Sequence, residues 1–220
     1  EKAYYINFES DGEVSVCVDI KRDFSNAVVR PLSCGISVEK DQTKARFILH
    51  KPGGYTFEAD GSHNALHIFF DAPHQYLDAE RADYKFEHGV FDAGVLRLKS
   101  GQSVYIGEDA VVYGCIHAEN AENIRIFGRG TLDNGRNKEQ ILRETPMGDG
   151  TRDVKNAVRK NTVEFKHCHN IKIHGITINN SLLYNITTYS CEDITVDNVK
   201  IIGCWRYNTD GIDFHNTSNA

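Results

Sequence analysis

One short pattern recurs along the second half of the chain, and it restricts the fold more than any other feature. Asn123-Ile124-Arg125-Ile126-Phe127-Gly128 is echoed by Asn170-Ile171-Lys172-Ile173-His174-Gly175 and by Asp193-Ile194-Thr195-Val196-Asp197-Asn198. A fourth copy is expected to start at Asn219-Ala220. Asn170 to Asp193 is 23 residues and Asp193 to Asn219 is 26, whereas Asn123 to Asn170 is 47, which fits two turns or one turn with a long insertion. Repeats of this length are the signature of a solenoid.

Within each copy the apolar residues alternate, so Ile124 and Ile126, Ile171 and Ile173, and Ile194 and Val196 point to one face of a strand. One coil cannot bury so narrow a stripe, but stacking coils ~4.8 Å apart turns the stripes into a continuous interior. The LxxLxL spacing and helical half-repeat of leucine-rich repeats are absent. The fold expected from about residue 87 to 220 is therefore the first coils of a right-handed parallel β-helix. Cys168 and Cys191 each stand two residues before the repeat's Asn or Asp, so they fall on equivalent places of neighbouring coils. They read as a ladder of small apolar residues inside the coil, with a disulfide or reactive thiol as the alternative.

The first third of the chain has a different texture. Val14-Ser15-Val16-Cys17-Val18, Ala45-Arg46-Phe47-Ile48-Leu49 and Leu66-His67-Ile68-Phe69-Phe70 alternate with period two, punctuated by Ser10-Asp11-Gly12 and Pro52-Gly53-Gly54. Short strands at this spacing predict an antiparallel β-sandwich over 1–75. The charged, non-periodic stretch 76–86 is expected to be a linker, and the whole chain to be all-β.

Composition bounds the function classes. A net charge of −6 over 220 residues disfavours nucleic acid or an anionic membrane as partner. No stretch approaches the roughly 20 apolar residues of a membrane span. Six cysteines without a CxxC pair argue against a zinc site or redox motif. His167 and His169 lack a third ligand, so no metal site is expected, and Gly128-Arg129-Gly130 lacks the third glycine of a dinucleotide fingerprint. Nothing in the sequence points to a cofactor. Residues 134–160, with seven Lys or Arg against four acidic residues, read as a solvated insertion between coils, with a cleft wall as the alternative.

The segment with the most chemistry is Cys204-Trp205-Arg206-Tyr207-Asn208-Thr209-Asp210-Gly211-Ile212-Asp213-Phe214. Ile212 and Phe214 alternate as inward residues of a strand, which leaves Gly211 and Asp213 facing out. Asp210 precedes that strand beside Gly211, whose freedom in φ would permit a bend presenting the carboxylate outward. Asn208, Asp210 and Asp213 would then cluster beside Trp205, Arg206 and Tyr207. Rings that stack on sugar faces, an Arg for hydroxyl or carboxylate oxygens, and paired carboxylates suit a carbohydrate. Asn and Asp equally suit turn caps between coils, and residue type alone does not separate the two.

These residues carry a family resemblance. Asn208-Thr209-Asp210-Gly211-Ile212-Asp213 resembles the NTDGID motif of glycoside hydrolase family 28, the polygalacturonase and rhamnogalacturonase group. Gly128-Arg129-Gly130-Thr131-Leu132-Asp133-Asn134-Gly135 is similar to that family's early glycine-rich coil, and Val163 to Ile171 to its strand ending in Cys-x-Asn. Asn179-Asn180-Ser181 and Cys191-Glu192-Asp193-Ile194 continue the order. The resemblance runs from about Gly94 to Ala220. Ser181-Leu182-Leu183-Tyr184 departs from it, lacking the Pro and Trp common there in polygalacturonases. The sandwich followed by Gly101-Gln102-Ser103-Val104-Tyr105-Ile106 and Ala110-Val111-Val112-Tyr113-Gly114 is similar to glycoside hydrolase family 49, the dextranase and isopullulanase group.

The resemblance implies inverting hydrolysis of a polysaccharide or oligosaccharide by three aspartates, with Asp210 catalytic; from their residue types, Asn208, Asp213, Trp205, Arg206 and Tyr207 are expected to contact substrate. The motif's partners, a consecutive Asp-Asp pair, are expected on the next coil beyond residue 220, so the chain as it stands is expected to be truncated and inactive. Pectic polymers are the expected substrate and α-glucans the alternative. A pectate-lyase-like enzyme and a non-catalytic carbohydrate-binding β-helix are the rival classes. Glu1-Lys2-Ala3-Tyr4 shows no signal peptide, a pattern that signal removal would also leave, and a secreted or periplasmic site is expected.

Overall fold

The computed structural model describes residues 4–63, 65–136, 145–146, 152–153, 160–204 and 208–220. It divides into two compact units, Glu1–Gln75 and Tyr76–Ala220.

Among its described residues the first unit has seven strands: β1 (Tyr4–Glu9), β2 (Val14–Asp19), β3 (Ala27–Arg30), β4 (Glu39–Asp41), β5 (Lys44–Leu49), β6 (Gly53–Ala59) and β7 (Leu66–Asp71). They form two sheets, ordered β1-β7-β6-β3 and β2-β5-β4. Period-two alternation decides what is buried: Ala45, Phe47 and Leu49 of β5 are in the core and Arg46 and Ile48 are outside. Phe47 of one sheet stacks on Phe57 of the other at 5.6 Å between ring centroids, which makes the unit a sandwich. One pairing departs from the antiparallel expectation, because β1 and β7 run parallel from Tyr4↔Leu66 to Glu9↔Asp71. A parallel pair needs a long crossover, and the five strands between them supply it.

The second unit is a parallel β-helix. Its strands are β8 (Tyr84–Leu98), β9 (Ser103–Glu119), β10 (Glu122–Gly128), β11 (Thr131–Asp133), the short antiparallel pair β12 (Thr145–Pro146) and β13 (Arg152–Asp153), then β14 (Val163–Lys166), β15 (His169–His174), β16 (Thr177–Asn179), β17 (Ile186–Tyr189), β18 (Glu192–Asp197), β19 (Lys200–Ile202) and β20 (Ile212–His215). Three parallel faces result. The first stacks Tyr84–Phe86, Ser103–Ile106, β10, β15 and β18. The second stacks His88–Asp92, Asp109–Tyr113, β11, β16 and β19. The third stacks Gly94–Leu98, Gly114–Ala118, β14, β17 and β20.

The register explains the repeat. Ile124, Ile171 and Ile194 are cross-strand neighbours, as are Val104, Ile126, Ile173 and Val196. With Leu132, Ile178, Ile116, Val163, Phe165 and Ile186 they form one continuous core. Since Ile124 pairs directly with Ile171, the 47-residue interval is one turn with an insertion between Asn134 and Thr162. Two earlier coils, within β8 and β9, escape the repeat pattern because these strands run through the corners without the Asn-Ile start. Part of the stretch expected as a linker belongs to this unit: β8 begins at Tyr84, and the Tyr76 hydroxyl donates to the Gly128 carbonyl at 3.2 Å among the rings of Tyr105, Phe127 and His174.

The corners show why Asn and Asp open each copy. Asn123, Asn170, Asp193 and Asn219 all adopt left-handed φ between 52° and 58°, a region that Asn and Asp tolerate best after Gly. Asn170 Nδ2 also donates to Asn123 Oδ1 at 2.7 Å, so the corner side chains bond from coil to coil. Cys168 and Cys191 lie between such corners, buried and free, with the Cys168 N–H 3.4 Å from Cys191 Sγ. Burial pushes the Cys168 thiol up, as suits a stacked packing pair.

Candidate active site

β20 enters the third face along Asn208–Gly211. Asn208 is left-handed, with φ 57°; Thr209 turns inward at 7% exposure, and Asp210 is exposed. Gly211 does not supply the expected bend. It has no positive φ, and a Cβ there would meet only Ile201 Cδ1 at 3.8 Å. The left-handed step is taken three residues earlier, by Asn208.

Asn185, fully buried on the preceding coil, holds this approach. Its Nδ2 donates to the carbonyls of Thr209 (3.1 Å) and Asp210 (3.0 Å), and its backbone N–H donates to the Asp210 carbonyl (3.0 Å). Ile186 N–H donates to the Gly211 carbonyl (3.1 Å). The backbone of Asp210 is thus tied into the helix while its carboxylate faces solvent, without a hydrogen bond or ion pair among the described residues.

Strand alternation sets the neighbours. On β20, Ile212 and Phe214 align with the inward residues Ile186 and Thr188, and Asp213 and His215 with Thr187 and Tyr189. Ile212 and Phe214 are 42% and 46% exposed, however, because β20 pairs with β17 alone among the described strands. The column of outer residues at Asp213 reads Arg97, His117, Glu164, Thr187, Asp213, one per coil at ~4.8 Å steps. The adjacent column reads Glu119, Lys166, Tyr189, His215.

The electrostatics of the two columns differ. Asp213 Oδ2 and Thr187 Oγ1 are buried without a hydrogen-bond partner among the described residues. Burial, and then the charge of Asp210, raise the Asp213 carboxyl above its usual 3.8. Further along, His117 Nε2 lies 2.8 Å from the Asn161 carbonyl; a carbonyl only accepts, so this nitrogen carries the proton. Burial holds His117 below its ordinary 6.5. In the other column Lys166 pairs with Glu164 at 2.9 Å, which raises the lysine, and Tyr189 stacks on His215 at 4.8 Å. An exposed carboxylate three residues from one whose carboxyl is raised, on a face that also carries charged, hydroxyl and ring groups, can exchange protons with a hydroxyl-rich ligand.

The structure brings Asn208, Asp210 and Asp213 to one end of this outer face. Trp205, Arg206 and Tyr207 lie outside the described residues. Among the described residues no three His, Cys, Asp or Glu side chains are grouped to hold a metal ion. Sequence reasoning passed over Asn185 and Thr187, because neither sits in the repeated six-residue pattern. Carrying the coil spacing onto the third face would have found Asn185, which lies 25 residues before Asp210.

The solved structures that resemble the chain include these two. One is a protein of Parabacteroides merdae provisionally described as a glycosyl hydrolase, 22% identical over 64% of this chain and 69% of that one, with a TM-score of 0.48. The other is a family 28 exopolygalacturonase of Yersinia enterocolitica, 14% identical over 94% of this chain, also with a TM-score of 0.48. The chain spans 60% of the exopolygalacturonase's length. No curated protein gives a significant match. The pattern of one family, described as glycosyl hydrolases family 28, matches residues 93–220. That span takes in most of the β-helix and the Asn208–Asp213 segment, and the chain belongs to glycosyl hydrolases family 28, a family of glycosidases.

Proposed function

We propose that the whole protein hydrolyses glycosidic bonds of a pectic polysaccharide, of polygalacturonan or rhamnogalacturonan type, with inversion, and that Asp210 is one of its catalytic carboxylates. The supporting observation is the placement of Asp210: its backbone is held by Asn185 and its side chain is exposed at the end of an outer sheet face. One carboxylic acid protonates the leaving oxygen while a carboxylate activates water on the opposite side of the sugar, ~6.5–9.5 Å away. The partner carboxylates would belong to the coil that follows β20, beyond residue 220. Asp213 and Asn208, with Trp205, Arg206 and Tyr207, would contact the sugar. The reaction needs no cofactor or metal, and a polymeric substrate places the protein outside the cytoplasm, secreted or periplasmic.

The test incubates the whole protein with polygalacturonan, rhamnogalacturonan, dextran and pullulan, following new reducing ends and the anomer of the first product by proton NMR. Reducing ends from a pectic polymer, formed with inverted configuration, are expected. Activity confined to dextran or pullulan would move the substrate to the α-glucans, and a retained anomer would contradict the inverting mechanism.

A further inference from the structure

A directional chain of buried hydrogen bonds reaches Asp210 from two coils away. Asn134 Nδ2 donates to Thr162 Oγ1 (3.1 Å), and also to the Lys160 carbonyl (3.0 Å). Thr162 Oγ1 and Ser181 Oγ are 2.6 Å apart, and Ser181 Oγ donates to Asn185 Oδ1 (2.6 Å). Asn185 Nδ2 then donates to the Thr209 and Asp210 carbonyls. Proton counting fixes the one ambiguous link. The Ser181 hydroxyl has a single proton, used on Asn185, so the Thr162 hydroxyl must donate to Ser181. Every donor in the series then points toward Asp210.

Asn134, Thr162, Ser181 and Asn185 are each 0–1% exposed. Leaving any of these groups unpaired in such surroundings is expensive, and the four are bonded to one another in series. The series also starts where the insertion between coils begins and ends, at Asn134 and Thr162, and finishes on the backbone of the residue whose carboxylate faces solvent.

We propose that Asn134, Thr162, Ser181 and Asn185 form a positioning relay that fixes the backbone of Asp210, and hence the direction of its carboxylate, from the interior of the β-helix. This rests on the reading of Asp210 as catalytic. None of the four touches substrate; they act through the Thr209 and Asp210 carbonyls. Breaking a distant link leaves a buried hydroxyl without its donor, loosens Asn185, and lets Asp210 drift. Misplacement on the scale of 1 Å costs on the order of a hundredfold in rate.

The test uses the whole protein and the polymer identified by the reducing-end assay. Thr162→Val removes the hydroxyl at nearly constant shape three links from Asp210, and Thr162→Ser keeps it. Thr162→Val is expected to lower kcat by roughly ten- to a hundredfold with KM little changed, and Thr162→Ser to restore it. Amide exchange at Asn185 and Ile186, whose N–H groups bond the Asp210 and Gly211 carbonyls, is expected to quicken in Thr162→Val alone. Folded Thr162→Val with wild-type kcat and unchanged exchange, beside an inactive Asp210→Asn, would overturn the relay. Should Thr162→Val not fold, Ser181→Ala, which removes only one hydroxyl, is read by the same criteria. An Asp210→Asn variant that is fully active would instead overturn the catalytic reading on which the relay rests.

Discussion

Asp213 and Asp210 stand three residues apart, yet their surroundings separate them. Asp210 is exposed, whereas Asp213 has an oxygen buried without a partner among the described residues and a carboxyl raised by burial and by Asp210. A carboxyl raised in the folded state binds its proton more tightly there than in the unfolded chain. Its contribution to stability is therefore full below 3.8 and is lost as pH rises through the raised folded value. Asp213→Asn is expected to gain stability relative to wild type as pH rises above 3.8, with little difference below it. Urea unfolding at a series of pH values checks this, and a difference independent of pH would contradict it. At this scale the sequence was partly legible. Asp210 and Asp213 stood out because NTDGID is a local motif, while Asn185 meets Asp210 only through stacking, which no local pattern records.

The coil, as a structural element, is held by register and by its corners. Asn170 carries both a left-handed φ of 52° and the 2.7 Å bond to Asn123. Asn170→Ala loses the bond and strains the backbone, and is expected to cost roughly 1–3 kcal/mol. Gly130→Ala should cost more, because its Cβ would fall 2.2 Å from the Gly107 carbonyl of the neighbouring coil and 2.8 Å from that of Ala110. Denaturant midpoints of the two variants rank them, and equal midpoints would argue against close coil-to-coil approach at this corner. Copies of the pattern that start with Asn or Asp were readable because the left-handed corner demands those residues. β8 and β9 were not, since their coils turn through bulges at Phe86/His88 and Asp92/Gly94 and begin with Tyr84 and Ser103.

The molecule as a whole has two separate cores, one inside the sandwich and one running up the β-helix. Phe165 is fully buried in the second and Phe70 is 1% exposed in the first. Truncating either to Ala is expected to cost about 3–5 kcal/mol, and hydrogen exchange should place the loss in the unit that carries the substitution. Equal losses throughout both units would contradict separate cores. The division into two textures was visible in the sequence as a change from short alternating strands to a repeat. The parallel pairing of β1 with β7 was not, because strand direction depends on which ends of the unit meet. On this scaffold the central claim concerns one carboxylate, and turnover by Asp210→Asn in the whole protein tests it most directly. That substitution keeps the side chain's shape and removes its charge. Turnover is predicted to fall at least a hundredfold with circular dichroism and unfolding midpoint unchanged, and wild-type turnover would contradict the assignment.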